Sequence, residues 1–443
     1  MKKIIIFSVC FFLSISGLLF LSSREYFFLL ASFYLFSFLL YFFFILKNPC
    51  FSFKFYFLLF LIIGLASLFS FPYLSNDFYR FLWDGELFLR GVNPYDYKPI
   101  EYVSPLLDPF WNQDSELKLE YYSYLYDGMG SLSQNHYSCY PPFSIYLFIF
   151  CAFFTNDLDV NVFVMHLLML CFQFPGIYYG MKICKKIGVN KLNVFFLFLH
   201  PLYLAEVMGS LHFEGVMIPM CLMFLYFMIS RFDLWASFIL SLAIHIKLIP
   251  LLLFFVLFSY LSFYRFIKIF IVVIFVTLLL CLGLLNSINI YNFFDSVFLY
   301  FGKFEFYSFI YVYFQSINIQ FWITVVNILF ICTSILWLRN KKISWEKSIP
   351  IVLIIYYLFS STVHPWYSLF VLMFLPFSNL KSTFVFPTLC FVSYLFYDIG
   401  DGVALRIVYL LSYFITIGFL IFDLLQLKKE SELNILNKGS LFP

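Results

Sequence analysis

Apolar runs separated by short polar breaks dominate the chain. Read for periodicity and length, they predict helical spans near 4–22, 26–46, 55–72, 160–181, 192–210, 214–231, 234–246, 248–264, 267–285, 320–339, 347–361, 366–379, 383–397 and 404–427. Uninterrupted apolar segments of about 17 residues or more read as membrane-crossing helices, because the bilayer leaves no backbone group a water partner. The expected fold is therefore an all-α polytopic membrane protein, a bundle of 12–14 transmembrane helices. The one long polar stretch between spans, 73–159, is expected to form an outer loop carrying interfacial helices.

Charge fixes the expected orientation. With the N-terminus inside, most of the 27 lysines and arginines fall on the cytoplasmic side, among them Lys182, Lys185, Lys186, Lys191, Arg339, Lys341, Lys342 and Lys347. That is the positive-inside pattern. Most of the 24 acidic residues fall on or near the outer face. Both termini are then cytoplasmic, in the cytoplasmic (inner) membrane, and loop 73–159 faces the periplasm. Residues 1–22 have the basic start and apolar run of a signal peptide, but the run exceeds a usual signal core, so a retained helix is expected. The run 143–154 is too short to cross. Were it to cross, the basic cluster at 182–191 would move outside. It is expected instead as an interfacial helix opened by Tyr140-Pro141-Pro142, since proline suits a first helical turn. Aromatic-rich Asn292–Gln315 is read as another membrane-hugging segment.

The composition supports this picture: 63% of residues are hydrophobic and 12% charged, about half the charged share of a soluble protein. The net charge of +3 says little, because its distribution matters more than its sum, and no nucleic-acid partner is expected. The ten cysteines are scattered through apolar runs without metal-ligand spacing, so they read as small buried hydrophobes. No internal repeat is visible, which leaves an inverted-repeat carrier without its signature.

Polar residues collect on the expected outer side. Asp77, Arg80, Trp83, Asp84 and Gly85 open the loop, and Asn93-Pro94-Tyr95 follows as a turn. His212 and Glu214 sit in a tight link between two spans. Lys247 lies between two short apolar runs, with Pro250 marking a helix break. His364, Pro365, Trp366 and Tyr367 form another tip. Ionisable groups at membrane depth are costly and line cavities or pair with each other.

In this order, Asp77-x-x-Arg80-x-x-Trp83-Asp84-Gly85, Asn93-Pro94-Tyr95, Tyr140-Pro141-Pro142, His212-x-Glu214, Lys247-x-x-Pro250 and His364-Pro365-Trp366-Tyr367 resemble the GT-C integral-membrane glycosyltransferases. Among these they resemble in particular the bacterial polyprenyl-phosphate-mannose-dependent mannosyltransferases, and the chain is also similar to the first mannosyltransferase of GPI-anchor synthesis. The resemblance covers roughly residues 70–370. It departs at Glu214, where family members often carry Asp. It divides the chain into accessory N-terminal helices (1–54), a catalytic module (55–370) and C-terminal helices with a short tail (371–443).

The resemblance implies transfer of a hexose, mannose by family, from a polyprenyl-phosphate sugar to a glycan or glycolipid acceptor of the cell envelope. It implies that Asp77 is the acidic residue of the outer loop essential for transfer, the candidate base for the acceptor hydroxyl. Arg80, Lys247 and His364 are the candidates for the donor phosphate. Asp84, Trp83, Tyr95, His212, Glu214, Trp366 and Tyr367 are candidates for sugar or acceptor. Asp84 has a second reading, pairing with Arg80 to hold the loop. No metal cluster is apparent, although a divalent cation such as Mg or Mn could bridge Asp77, Asp84 and phosphate oxygens. Two other readings stay open: a lipid-linked glycan flippase or transporter, and a glycan polymerase or ligase.

Overall fold

The apolar runs fold as the hydrophobic pattern requires. A computed structural model describes residues 2–47, 51–103, 116–286, 288–302, 304–316 and 320–436, and among them every regular element is a helix. All fourteen expected spans have a helical counterpart. Among the described residues six helices are long and apolar enough to cross a membrane: Phe27–Leu46, Leu158–Lys186, Phe263–Cys281, Trp322–Asn340, Ser382–Ile399 and Val403–Glu432. The pair Lys191–Phe198 and Pro201–Gly209, bent by 54°, makes a seventh if it is one span. Several other spans appear as shorter apolar helices, such as Ile4–Phe20, Phe53–Ser67, Glu214–Ile229 and Asp233–Ile244. A broken or short helix at membrane depth is tolerated where protein surrounds it.

The chain divides into two units. The first comprises Met1–Pro250 with Ile267–Tyr300, and the second Leu251–Phe266 with Phe301–Pro443.

In the first unit the leading helices are α1 (Lys2–Phe20), α2 (Phe27–Tyr41, continued by a wider turn over Phe42–Leu46) and α3 (Phe53–Ser67). The outer loop holds α4 (Asp77–Leu89), α5 (Pro99–Tyr102), α6 (Glu116–Gln134) and α7 (Pro142–Ala152), and α8 (Leu158–Lys186) follows. Residues 104–115 of the expected loop, together with Lys303 and Cys50, lie outside the described residues. Helix α7 begins at Pro142, the first-turn position anticipated for it, where the missing N–H has no helical partner to lose.

Helix α4 packs on both α6 and α7. Gly85 makes the second contact close: a Cβ there would meet the Phe148 carbonyl oxygen at 2.5 Å. The adjoining face is aromatic. Phe81 stacks on Phe148 (centroids 4.7 Å apart), and Tyr140 and Phe213 meet both rings edge-on.

In the second unit Phe306 and Thr362 form a parallel bridge beside the His364 tip. The helices Trp345–Leu358, Ser382–Cys390 and Val403–Leu436 make up much of its core. All nine cysteines among the described residues are free.

Candidate active site

The site is assembled on short connections whose backbone polar groups are individually satisfied. Asp77 is the first residue of α4. Its N–H donates to Ser75 Oγ (3.2 Å), and the preceding Asn76 side chain donates to the carbonyls of Gly128 and Met129 (3.3 and 3.0 Å). These bonds fix where the helix starts, and so where the carboxylate projects. The Asp77 side chain keeps 32% of its surface exposed.

Three distant segments converge on it. His212 Nδ1 is 3.8 Å from Asp77 Oδ2, and the imidazole is 1% exposed. Its other nitrogen, Nε2, is 3.4 Å from Glu206 Oε2, and that carboxylate is fully buried. Beyond the turn, Lys247 Nζ donates to Glu214 Oε1 at 2.5 Å, with the two side chains 21% and 2% exposed.

The backbone at His212 is unusual. Leu204–Gly209 winds as a wide π-helical turn, and the buried Leu211 takes φ 60°, a left-handed conformation rare for a bulky residue. Strain of this kind persists only where surrounding structure over-determines it. Here the His212 N–H donates to the Glu206 carbonyl (3.1 Å), and Ser210 N–H to Ala205 (2.9 Å). The turn thus folds residue 212 back over residue 206. Close approach to α1 supports it from behind: a Cβ on Gly209 would lie 2.9 Å from the Leu19 side chain.

Lys247 sits in the gap between helices Asp233–Ile244 and Pro250–Phe258, the break anticipated at Pro250. Helix α7 fixes that gap. Ser144 N–H donates to the His245 carbonyl (3.0 Å), and its hydroxyl donates to Ile246 (2.9 Å).

Electrostatics follow from this crowding. Burial pushes the Asp77 carboxyl above its ordinary range, and the cations Lys247 and Arg24 pull it back only part of the way. Arg24 comes from the α1–α2 link and reaches Asn76 Oδ1 at 3.5 Å.

Other candidates are placed differently. Arg80 is buried, its Nε donating to Asp84 Oδ1 (2.7 Å) and its Nη1 to the carbonyls of Ser133 and His136. Asp84 also accepts from Ser138 Oγ (2.6 Å). Burial raises the Asp84 carboxyl, while Arg80 and Ser138 lower it. This is the loop-holding pairing rather than a phosphate contact. Trp83 and Tyr95 are buried too, so neither offers a ring face to a sugar. Trp83 lies against Tyr126, and the Tyr95 hydroxyl donates to the Tyr140 carbonyl (2.6 Å). The Tyr95 N–H caps Asn93 Oδ1 (3.1 Å), which makes Asn93-Pro94-Tyr95 the expected turn.

His364, Trp366 and Tyr367 belong to the second unit. There the His364 ring stacks on Trp366 at 4.2 Å and on Phe306 at 4.4 Å.

Two site residues escaped the sequence reading, Glu206 and Arg24. Glu206 had a signal, an acid inside an otherwise apolar run. Arg24 had none beyond its place at a loop tip. Among the described residues no group of three or more His, Cys, Asp or Glu could hold a metal ion.

A search of curated proteins finds no significant match. Residues 57–262, which carry Asp77, Glu206, His212, Glu214 and Lys247, match the family model of the alpha-(1->6)-mannopyranosyltransferase N-terminal domain, the MptA/B family.

Proposed function

We propose that the protein transfers mannose from a polyprenyl-phosphate carrier to a cell-envelope glycan or glycolipid, at the outer face of the cytoplasmic membrane. The observation that carries this reading is the convergence on one partly exposed carboxylate, Asp77, of the 206–214 link with His212 and Glu214 and of Lys247 from a third segment. Nucleotide sugars are not supplied outside the cytoplasm, so a transferase facing outward needs a lipid-borne donor.

The reaction follows from the groups present. The acceptor hydroxyl oxygen attacks the anomeric carbon. Its proton passes to the Asp77 carboxylate, which a raised pKa makes a stronger base. The bond from the anomeric carbon to the phosphate oxygen breaks, and the electron pair stays on that oxygen. The products are the new glycoside, inverted at the anomeric centre, and the polyprenyl phosphate. Lys247 supplies positive charge near the growing phosphate charge, with Arg24 a second cation in the same field.

The test is transfer of radiolabelled mannose from polyprenyl-phosphate mannose in membranes bearing the wild-type protein or Asp77→Asn. Wild-type transfer and its loss in the variant support the reading. Unchanged transfer by Asp77→Asn removes the base assignment, and movement of lipid-linked glycan across the bilayer without transfer would favour a carrier instead.

A further inference from the structure

Glu206 stands outside every role assigned above, yet it is the fully buried carboxylate closest to the imidazole that faces Asp77. We infer that Glu206 is a positioning residue: it orients His212 so that this imidazole strengthens Asp77 as a base. The inference rests on Asp77 being the base.

The argument runs through tautomers. A neutral imidazole carries one N–H and one lone pair, and the group on one nitrogen decides the state of the other. His212 Nε2 and the buried Glu206 carboxylate lie 3.4 Å apart, an ionic contact rather than an aligned hydrogen bond; a proton on Nε2 is the tautomer this contact stabilises, and it leaves the Nδ1 lone pair facing Asp77 Oδ2 at 3.8 Å. Against an ionised Asp77, a lone pair is repulsive. Against a protonated Asp77, it is a hydrogen-bond acceptor. The interaction therefore favours the state Asp77 reaches only as it takes the acceptor's proton, and it acts on the transition state more than on the ground state. Catalytic hydrogen bonds are often long in ligand-free structures and tighten in the working complex.

The backbone is shaped for this one contact. The π-helical turn over Leu204–Gly209, the left-handed Leu211 and the bond from His212 N–H to the Glu206 carbonyl together set the two side chains side by side. A regular helix would send residues 206 and 212 to different faces. The charged and titratable groups around the trio include Arg24 from the α1–α2 link, Lys247 paired with Glu214, Cys139 just before α7, and His166 on α8, whose Nε2 bonds the Ser70 carbonyl at 3.0 Å.

The experiment measures kcat, KM for polyprenyl-phosphate mannose, and the pH profile of kcat for wild type, Glu206→Gln, His212→Ala, the double variant and Asp77→Asn. In Glu206→Gln, kcat is expected to fall by roughly 100-fold with KM little changed. Its acid limb should move to lower pH, because Asp77 loses the partner that favours its protonated form. His212→Ala should show the same shift, and the double variant no further loss. If Asp77→Asn abolishes transfer while Glu206→Gln keeps the wild-type kcat and acid limb, the Glu206 inference fails and the base assignment stands. If Asp77→Asn transfers normally, the base assignment itself fails. Should Glu206→Gln not fold, an unshifted acid limb in His212→Ala overturns the inference alone.

Discussion

Lys247 Nζ and Glu214 Oε1 are 2.5 Å apart, joined across 33 residues of chain. The carboxylate is almost wholly buried, whereas the ammonium keeps a fifth of its surface in contact with its surroundings. The pair therefore anchors the cation while leaving it able to meet a second anion.

That asymmetry sets the outcome of breaking it. Lys247→Met strands a buried carboxylate, which costs about 3 kcal/mol or more. Thermal unfolding in detergent should show the loss. Lys247→Met with Glu214→Met should recover much of the stability without recovering transfer.

Asp77 makes a pH prediction. Its carboxyl titrates above the ordinary range, so the native state binds this proton more tightly than the unfolded chain does. Ionisation of Asp77 then costs stability as pH rises through the unfolded value and levels off above the folded one. Activity runs the other way, because only the carboxylate accepts a proton. Asp77→Asn is expected to be inactive and, near neutral pH, at least as resistant to unfolding as wild type. Paired unfolding and transfer assays at several pH values check this.

Arg24 pulls the Asp77 carboxyl downward. Arg24→Gln should thus move the acid limb of the transfer profile to higher pH, opposite in direction to Glu206→Gln. The two profiles, measured side by side, test whether both act through Asp77.

Arg80→Met should damage the outer loop rather than donor binding. It leaves Asp84 buried without its cation and frees the carbonyls of Ser133 and His136. A loss of about 3–5 kcal/mol is expected, seen as faster proteolysis of the 116–140 region. Arg80→Lys should rescue poorly, because one ammonium cannot reproduce the guanidinium fork.

Gly85→Ala forces a methyl against the Phe148 carbonyl. Overpacking of about 1–3 kcal/mol is expected. Transfer should fall with it, since α4 carries Asp77 at its first turn.

Much of the architecture was legible. Long apolar runs announced the helices, and proline placed the start of α7 and the break near Lys247. Asp77, His212, Glu214 and Lys247 could be named because polar side chains in an apolar chain stand out. What distance along the chain hid was partnership. The four residues between Arg80 and Asp84 allowed either a site or a clasp, and burial decided for the clasp. Trp83 and Tyr95 have the chemistry to stack on sugar, but nothing in a linear string says which aromatic rings a loop keeps for its own interior. Glu206 needed the π-helical turn and Leu211, a backbone path that residue patterns do not encode.

The contact between Leu19 and Gly209 bears on how this protein can be shortened. Cut back to the matched stretch 57–262, the chain would retain Asp77, Glu206, His212, Glu214 and Lys247. It would also lose Arg24 and the apolar wall against which the Glu206 turn is pressed. Minimal versions for crystallisation or engineering should therefore keep the first hairpin, or replace it with a partner helix supplied separately.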